Sequence, residues 1–427
     1  MSPSEHSLTA FDSENLAQIK ISAPEWRAAQ MDDGFRVFTS LAEPTGAEED
    51  WRYIDFDMSF DQLQPVTEPG SALGSGPFVS SLPDRSGHLQ IVDGAVVEIH
   101  SEVATVTRLS DLDTDPGIPQ LLAVDHNKLA AAHVAFATDG ALIEIGRGVV
   151  METPLVVEIQ GVTAGTASFP QLLVRVGENA EARIVVVYRS AEGARLLMVP
   201  RIDLEVGDAG RLRFLSVQGL DHAATSVVHQ RVLLGRDSTS RIGEVGLGGK
   251  LGRLDLGVNL VGNGSSSEVV GLYFGEGDQT LDYRMVINHE GKNTSSDVFL
   301  KGAVEDDAQS VFTGLLRIEK DATRTSTFET NRNLVLSENA KAQSVPNLEI
   351  LCNDVICGHA SSVGPLEGEH LYYLQSRGLT RERAERLLIR GFFQEVIDRL
   401  PIEGLESPVS EEVFRRFVTA QKEGRVA

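Results

Sequence analysis

Two residues near the carboxyl end of the chain could act together on one ligand. They are Cys357 and His359, and the β-branched run that precedes them, Ile350 to Ile356, predicts a strand. Residues two apart in an extended chain point to the same face, so this thiol and this imidazole could meet one ligand. Because thiolate and imidazole both suit iron, the pair predicts a soft ligand site for iron or sulfide.

Other interpretations of the same residues stay open. Cys352 lies an odd number of residues before Cys357, so in an unbroken strand the two thiols face opposite ways. We expect Cys352 to be a small buried apolar residue. Cys357 and His359 could each be structural, or could form a nucleophile and base, although the sequence offers no third group to orient the base. His289, in a polar segment, is interpreted as structural.

The charge and the cysteine content narrow the functional classes. The chain has 427 residues and a net charge of -24, which argues against nucleic acid or an anionic membrane as a partner, because both require a basic surface. Two cysteines do not make a disulfide framework, so we expect a reducing cytoplasm. No apolar run reaches the roughly 18 residues of a transmembrane helix.

A glycine-rich run, Gly243 to Gly252, invites a nucleotide-binding interpretation that its spacing does not support. In a P-loop a Gly-Lys pair is followed by Ser or Thr, but Gly249 and Lys250 are followed by Leu251. The position five before Gly249 is Glu244 rather than glycine, so the pattern fails a second time. We therefore predict no nucleotide site here and interpret the run as β corners or a loop.

Short β-rich runs and recurring turns fill the middle of the chain. Gly177, Gly207 and Gly235 begin similar tetrads that follow one another at nearly equal spacing. Related tetrads occur at 305–308, 319–322 and 337–340. Such recurrence without helical periods is typical of a solenoid, which predicts a mainly β chain with a β-helix core. A β-sandwich with shorter strand spacing is the alternative.

The two ends of the chain differ from this pattern. We predict three domains: a helical region with a Pro-, Gly- and Ser-rich linker at 1–87, the β-helix at 88–370, and a helical domain at 371–427. Trp51 and Tyr53 are interpreted as packing the first region onto the body.

The last domain carries two periodic helical segments. Thr380 is a plausible N-cap and Pro401 a stop, and a second helix is expected from Ser410. Phe392 and Phe393 are about 100° apart on a helix, so one can enter the local core while the other faces a groove. The helices could cap the solenoid or bind a partner.

A series of short motifs follows one another between about residue 270 and residue 400. They are Phe299 to Gly302, Phe312 to Gly314, Asn331 to Ser337, Pro346 to Ile350, Asp354 to His359, Leu371 to Gly378 and Gly391 to Phe393. This series resembles one known family, the SufB/SufD scaffold proteins of iron–sulfur cluster assembly. The form Asp-Val-x-Cys-x-His is similar to the SufD branch, although the usual Cys-Ser-His-Gly reads Cys-Gly-His-Ala here.

This resemblance implies a right-handed parallel β-helix and a scaffold without catalysis of its own. It implies a SufB-like paralogue paired through the β-helix, with His359, and Cys357 beside it, at a transient cluster shared with that partner. A SufC-like ATPase would dock on the C-terminal helices at Leu388, Phe392 and Phe393, and no cofactor would be tightly bound by this chain alone. The competing hypotheses are a β-helical polysaccharide lyase or hydrolase and a metal-free structural homodimer.

Overall fold

The computed structural model describes residues 10–82, 84–117 and 121–422, with side chains as far as residue 418. The outer ends of the two predicted helical regions, residues 1–9 and 423–427, lie outside this description. The helices are α1 Ser13–Lys20, α2 Glu25–Ser40, α3 Pro77–Ser80, α4 Lys128–Phe136, α5 Gly368–Ser376, α6 Arg381–Ile397 and α7 Glu406–Lys422.

Strands occupy most of the chain between the terminal helices. In chain order they are β1 Gln64–Pro65, β2 Gly87–Val92, β3 Ala95–Ser101, β4 Thr105–Arg108, β5 Ala141–Ile145, β6 Leu155–Gly161, β7 Thr166–Ser168, β8 Gln171–Val176, β9 Glu181–Ser190, β10 Leu197–Met198, β11 Arg201–Val206, β12 Arg211–Gln218, β13 Thr225–Leu234, β14 Thr239–Gly246, β15 Leu251–Leu260, β16 Ser266–Gly275, β17 Thr280–His289, β18 Ser295–Val304, β19 Gln309–Ile318, β20 Thr325–Val335, β21 Lys341–Ile350 and β22 Val355–Gly364.

From β11 onward, successive strands alternate between two sheets, which wind into a solenoid of about 8 turns. The first sheet ends in the order β17, β19, β21, and the second sheet ends in the order β18, β20, β22. Apart from the antiparallel pairs β2–β3 and β4–β5, the strand pairs in these sheets are parallel. The mainly β solenoid with helices at both ends is confirmed, and the antiparallel sandwich is excluded.

The tetrads that begin at Gly177, Gly207 and Gly235 form one line of corners, where the chain passes from the first sheet to the second. Their third residues Asn179, Ala209 and Asp237 have φ between 54° and 56°, a left-handed conformation that turns the chain sharply. Their amides bond to the next corner: Asn179 N–H to the carbonyl of Asp208 at 3.0 Å, and Ala209 N–H to that of Arg236 at 2.8 Å. The spacing of the tetrads in the sequence is therefore one turn of two strands and two corners.

Apolar side chains fill three separate spaces. One cluster fills the lumen of the solenoid, for example Ile242, Val269 and Val298. A second lies between the outer face of the second sheet and helices α6 and α7. A third lies between the outer face of the first sheet and helices α1, α2 and α4. The helical regions therefore cover opposite faces of the solenoid, and both sheets are buried on two sides over much of their length.

Three local predictions were wrong. The run from Ile350 to Ile356 is not one strand, because β21 ends at Ile350 and residues 351–354 form a corner before β22. Helix α4 was missed because its sequence, KLAAAHVAF, is apolar on almost all sides and buried, so it shows no amphipathic period. The last helix begins at Glu406 rather than Ser410, and α5 precedes the helical pattern.

The division into three domains stays a prediction. Within the described part of the chain, no helix is long and apolar enough to cross a membrane.

Candidate functional site

The last turn of the solenoid, which we call the terminal rung, consists of β21 and β22. Each of these strands lies at the edge of its sheet, paired on one side only, with β19 and β20 respectively. No residue of either strand is buried. In β15, by contrast, all residues but one are buried. The terminal rung therefore presents two open strand edges and an uncovered end of the lumen.

Cys357 and His359 both lie on β22 and face the lumen. Cys357 is in register with Thr327 and His359 with Glu329, and both of these β20 residues are buried inside the solenoid. Residues in register on neighbouring strands point to the same side of a sheet, so the thiol and the imidazole follow them inward. The predicted same-face pair is confirmed as geometry. Cys357 is half-buried, whereas His359 is exposed.

Cys357 is set partly into the apolar interior. It contacts the lumen cluster and a small cluster formed by Ile318, Ala322 and Cys352. Burial, and secondarily the nearby Glu329 carboxyl, raise the pKa of the Cys357 thiol. Cys352 is a buried free thiol at the corner before β22, as expected for a small apolar residue, although a corner rather than an unbroken strand separates the two cysteines.

Glu329 is the residue of this site that the sequence analysis did not single out. It lies on β20 in register with His359, and it is 1% exposed. Both of its carboxyl oxygens are buried without a hydrogen-bond partner in the described part of the chain, and burial raises its pKa to about 8. The signal that could have found it is the period, since Glu329 precedes His359 by the same spacing that separates Gly177 from Gly207, one turn of the solenoid.

One column of side chains in the lumen changes from apolar to polar at Glu329. The residues in register with it on the five preceding strands of the second sheet are all apolar and buried: Ile184, Phe214, Ile242, Val269 and Val298. Glu329 and His359 then complete this column. The column that ends at Cys357 is polar earlier, with Ser240 bonded to Ser267 at 2.9 Å and Ser296 to Thr327 at 2.6 Å.

The opposite wall of the lumen makes room for the carboxyl group. Leu256 and Met285 face inward on β15 and β17, and Gly314 takes the same position on β19. A Cβ atom at position 314 would collide with the Glu329 carboxyl oxygens. Because β19 has a glycine where β17 has a methionine, the lumen has space for the Glu329 carboxyl group at this level.

Gly358 stands where the usual Cys-Ser-His-Gly has serine. It is in register with Phe328 on the outer face of the second sheet. A Cβ atom at position 358 would lie 2.7 Å from the Phe328 ring, closer than carbon atoms can approach. A side chain at position 358 would therefore require the Phe328 ring, which is 48% exposed, to move aside.

The C-terminal helices carry the second group of predicted residues. Phe393 is 1% exposed and packs 6.4 Å, centroid to centroid, from Phe274, so it belongs to the core beneath α6. Phe392 is half-buried and, with Leu388, lines a groove of about 660 Å³ that also contacts β22 from Ala360 to Gly364. The expected division between the two phenylalanines is confirmed, and Phe393 is too deeply buried to contact a partner directly. Partner binding itself stays a prediction.

The structure also places other candidate residues. His289 is buried, and its ring nitrogens bond to Thr294 at 2.8 Å and Ser296 at 2.9 Å, so its structural interpretation is confirmed. Trp51 packs onto the solenoid, with the Arg253 guanidinium 4.1 Å from its ring centroid. Tyr53 is 38% exposed, so only half of that aromatic pair packs on the body as predicted.

One other cluster has the composition of a metal site. Ligand atoms of His126, His229 and Asp255 lie within 4.8 Å of one another. The same Asp255 oxygen, however, accepts a hydrogen bond from Arg231 at 2.9 Å. Burial opposes ionisation of Asp255, but Arg231 and the two imidazoles hold its pKa well below its usual range. Because the guanidinium already neutralises this carboxylate, we interpret the cluster as a clamp between the segment before α4 and the first sheet.

Comparison with known proteins decides the family. Residues 159–392, from β6 to α6, match the family model described as SUF system FeS cluster assembly, SufBD core domain. A SufBD family protein of Mycobacterium leprae is 34% identical over 370 residues, covering 84% of this chain and 86% of that protein. The chain belongs to the SufBD family of iron–sulfur cluster assembly proteins.

Two relatives carry the name of one branch of the family. The SufD protein of Bacillus subtilis is 31% identical over 323 residues, covering 74% of each chain. The SufD protein of Escherichia coli is 26% identical over 398 residues, covering 92% of this chain and 93% of that protein. The resemblance inferred from the motifs is therefore confirmed, and the chain has a role in iron–sulfur cluster assembly.

Proposed function

We propose that this chain is a SufD-type scaffold subunit that pairs with a SufB-like paralogue and works with a SufC-like ATPase in the cytoplasm. The observation that carries the proposal is the terminal rung, with its two open strand edges and its Cys357–His359 pair at the mouth of the lumen. The scaffold catalyses no reaction of its own in this account; it holds and presents the parts of a cluster.

The open edges support a partner built like this chain. Unpaired edge strands expose rows of backbone donors and acceptors, which proteins normally protect. Apolar side chains stand on and beside them: Leu348 is 37% exposed, Ile350 43% and Ile356 74%. A paralogous solenoid could satisfy these groups by adding strands, and two such solenoids would bring their terminal rungs together.

Such a joint would place Cys357 and His359 between two subunits. His359 is exposed at the edge, where the partner could supply further ligands to the same cluster. The nascent cluster is cargo in this account, bound transiently and then passed on, so neither Cys357 nor His359 needs a complete coordination sphere within this chain. Sulfur and nitrogen donors suit that cargo.

The surface of α6 supports docking of an ATPase. Phe392 and Leu388 present apolar surface on the groove beside β22, while Phe393 anchors the helix from beneath. The chain lacks a P-loop, so ATP hydrolysis would have to come from a partner. The shared groove would place that partner next to the strand that carries Cys357 and His359.

Co-expression with SufB-like and SufC-like partners tests the proposal. We expect a complex of all three proteins by native mass measurement, brown in colour and containing iron and sulfide after anaerobic purification. Phe392→Asp should remove the ATPase and leave the paralogue bound, because the charge enters the groove surface. Leu387→Asp is the matched control, since Leu387 is exposed on another face of the same helix.

Three results would contradict the proposal. They are formation of only a homodimer in the presence of both partners, a complex that contains no iron, and glycan cleavage by the chain. Undiminished ATPase binding by the Phe392→Asp protein would contradict the docking surface alone.

A further inference from the structure

Glu329 is buried in a way that its surroundings do not explain. A carboxyl group removed from water without hydrogen bonds is costly, and buried polar groups are normally satisfied. Glu329 is 1% exposed, and neither carboxyl oxygen has a partner among the described residues. It also interrupts a column that is apolar on five preceding strands. A buried carboxyl group without a hydrogen-bond partner in such a position favours a ligand-binding role.

The position of Glu329 brings it within reach of both groups of the candidate site. Neighbouring strands lie about 4.8 Å apart and same-face residues of one strand about 6.6 Å apart. Glu329 is beside His359 across the ladder, and Cys357 is two residues from His359 along β22. All three side chains face the lumen. Their ligand atoms do not all lie within 4.8 Å of one another in this structure, so binding one ion requires the side chains to rotate toward it, above all the exposed His359 at the edge.

A second buried glutamate in the lumen shows what a structural carboxyl looks like in this fold. Glu244 on β14 is 2% exposed, similar to Glu329. Its carboxyl group, however, accepts hydrogen bonds from Ser216 and, at 2.8 Å, from Gln230. Glu244 therefore has the partners that Glu329 lacks, and it lies several turns from the terminal rung.

We propose that Glu329 is a third iron-binding group of the Cys357–His359 site, and that these three side chains together take a single ferrous ion before the cluster forms. This inference rests on the proposed function, because it assigns the first cargo of the same site. Binding releases the protons of the Cys357 thiol and the Glu329 carboxyl group to solvent and leaves a thiolate and a carboxylate beside the imidazole. Iron accepts all three ligands, and the two anionic groups balance the charge of a divalent ion. No electron transfer is involved in this step.

The test is ferrous ion binding by the purified full chain under anaerobic conditions, without partners. Iron(II) is titrated by calorimetry, and cobalt(II) serves as an optical probe because its thiolate band reports binding to Cys357. Glu329→Gln retains the size of the side chain and removes its anionic form. We expect this substitution to weaken binding of both ions by at least about tenfold, in line with the loss of a metal-site group.

Glu244→Gln is the matched control, and its metal affinity should equal that of the unsubstituted chain. His359→Ala should weaken binding at least as much as Glu329→Gln. If Glu329→Gln does not fold, Glu329→Asp replaces it: the anion is kept but its reach is shortened, so weaker binding is again expected. Circular dichroism establishes that each variant is folded.

Equal affinity of the Glu329→Gln chain and the unsubstituted chain would overturn the inference, as would absence of iron and cobalt binding by the unsubstituted chain. Either result leaves the proposed function standing if the complex with both partners still assembles with iron and sulfide. If that complex does not form or contains no cluster while the chain alone binds iron through Glu329, the proposed function fails and the metal site remains.

Discussion

The interior turns and the terminal rung of this solenoid are built from the same unit and differ in what covers them. In the interior, β15 and β16 are paired on both sides and nearly all of their residues are buried. In the terminal rung, β21 and β22 are paired on one side and none of their residues is buried. The lumen column changes at the same place, from Val298 to Glu329 and His359. The comparison shows that burial is concentrated in the interior turns, whereas the residues of the proposed recognition and cluster site lie at the end.

The largest change in stability should come from placing a carboxyl group, like the one at the end of the lumen, inside an interior turn. Val298 is fully buried and in register with Glu329 one turn earlier. Val298→Glu should lower the free energy of unfolding by at least about 4 kcal/mol, because a carboxyl group would replace packed apolar contacts without a hydrogen-bond partner. Denaturant unfolding measures this loss. A loss below about 1 kcal/mol would show that the interior turns tolerate polar groups as readily as the terminal rung.

A pH profile tests whether buried carboxyls cost stability inside the solenoid. Burial raises the pKa of Glu244 from 4.5 to about 7 despite hydrogen bonds from Ser216 and Gln230. Between pH 4.5 and 7, Glu244 loses its proton in the unfolded chain but keeps it in the folded chain. The contribution of Glu244 to stability is therefore full below pH 4.5 and falls as the pH rises toward 7. Glu244→Gln should remove roughly 3 kcal/mol of this decline.

The measurement is unfolding free energy at several pH values for the unsubstituted chain and for Glu244→Gln. Other buried carboxyls, such as Asp282, contribute to both profiles alike, so the difference between the profiles isolates Glu244. Parallel profiles would show that Glu244 keeps its ordinary pKa in the folded chain.

A smaller change, in this case a gain in stability, is expected when the carboxyl group at the end of the lumen is replaced by an apolar side chain like those of the interior turns. Glu329→Val would continue the apolar column and remove an unpaired buried carboxyl. The isolated chain should gain about 1 to 2 kcal/mol in unfolding free energy. Thermal and denaturant unfolding measure this gain. A loss of stability would mean that Glu329 has a structural partner and would weaken the contrast between the two regions.

The repeated unit was predictable because its signals are local. Corner residues that accept a left-handed conformation, such as Asn179 and Asp237, recur in the sequence at the period of the turn. The same-face relation of Cys357 and His359 needed only the alternation of a strand. The division between Phe392 and Phe393 followed from helical geometry. These features depend on residues close together in the chain.

The features that were not predicted depend on distant residues. Glu329 becomes part of the site because β20 and β22 are neighbours in register, which requires the turn length to be applied to individual residues. The space for its carboxyl depends on Gly314 across the lumen. Helix α4 is buried on almost every side by the N-terminal region and the first sheet, which removed the amphipathic pattern that would have revealed it.

His359→Ala should have the smallest effect on stability and the largest effect on cluster assembly. His359→Ala removes an exposed imidazole, so we expect a change of about 1 kcal/mol or less in unfolding free energy and unchanged binding to the SufB-like partner. Cys357→Ser should be equally severe in its effect on the cluster, because we propose the thiol as a ligand; a milder loss would show that the thiol only lines the site.

The central claim is that the terminal rung supplies cluster ligands while adding little to the core. The most direct measurement is the iron and sulfide content of the complex with both partners, purified anaerobically with His359 or with His359→Ala. We predict an intact complex of unchanged mass that has lost its iron and sulfide. A complex carrying His359→Ala with the full content of iron and sulfide would contradict the claim and show that His359 is structural.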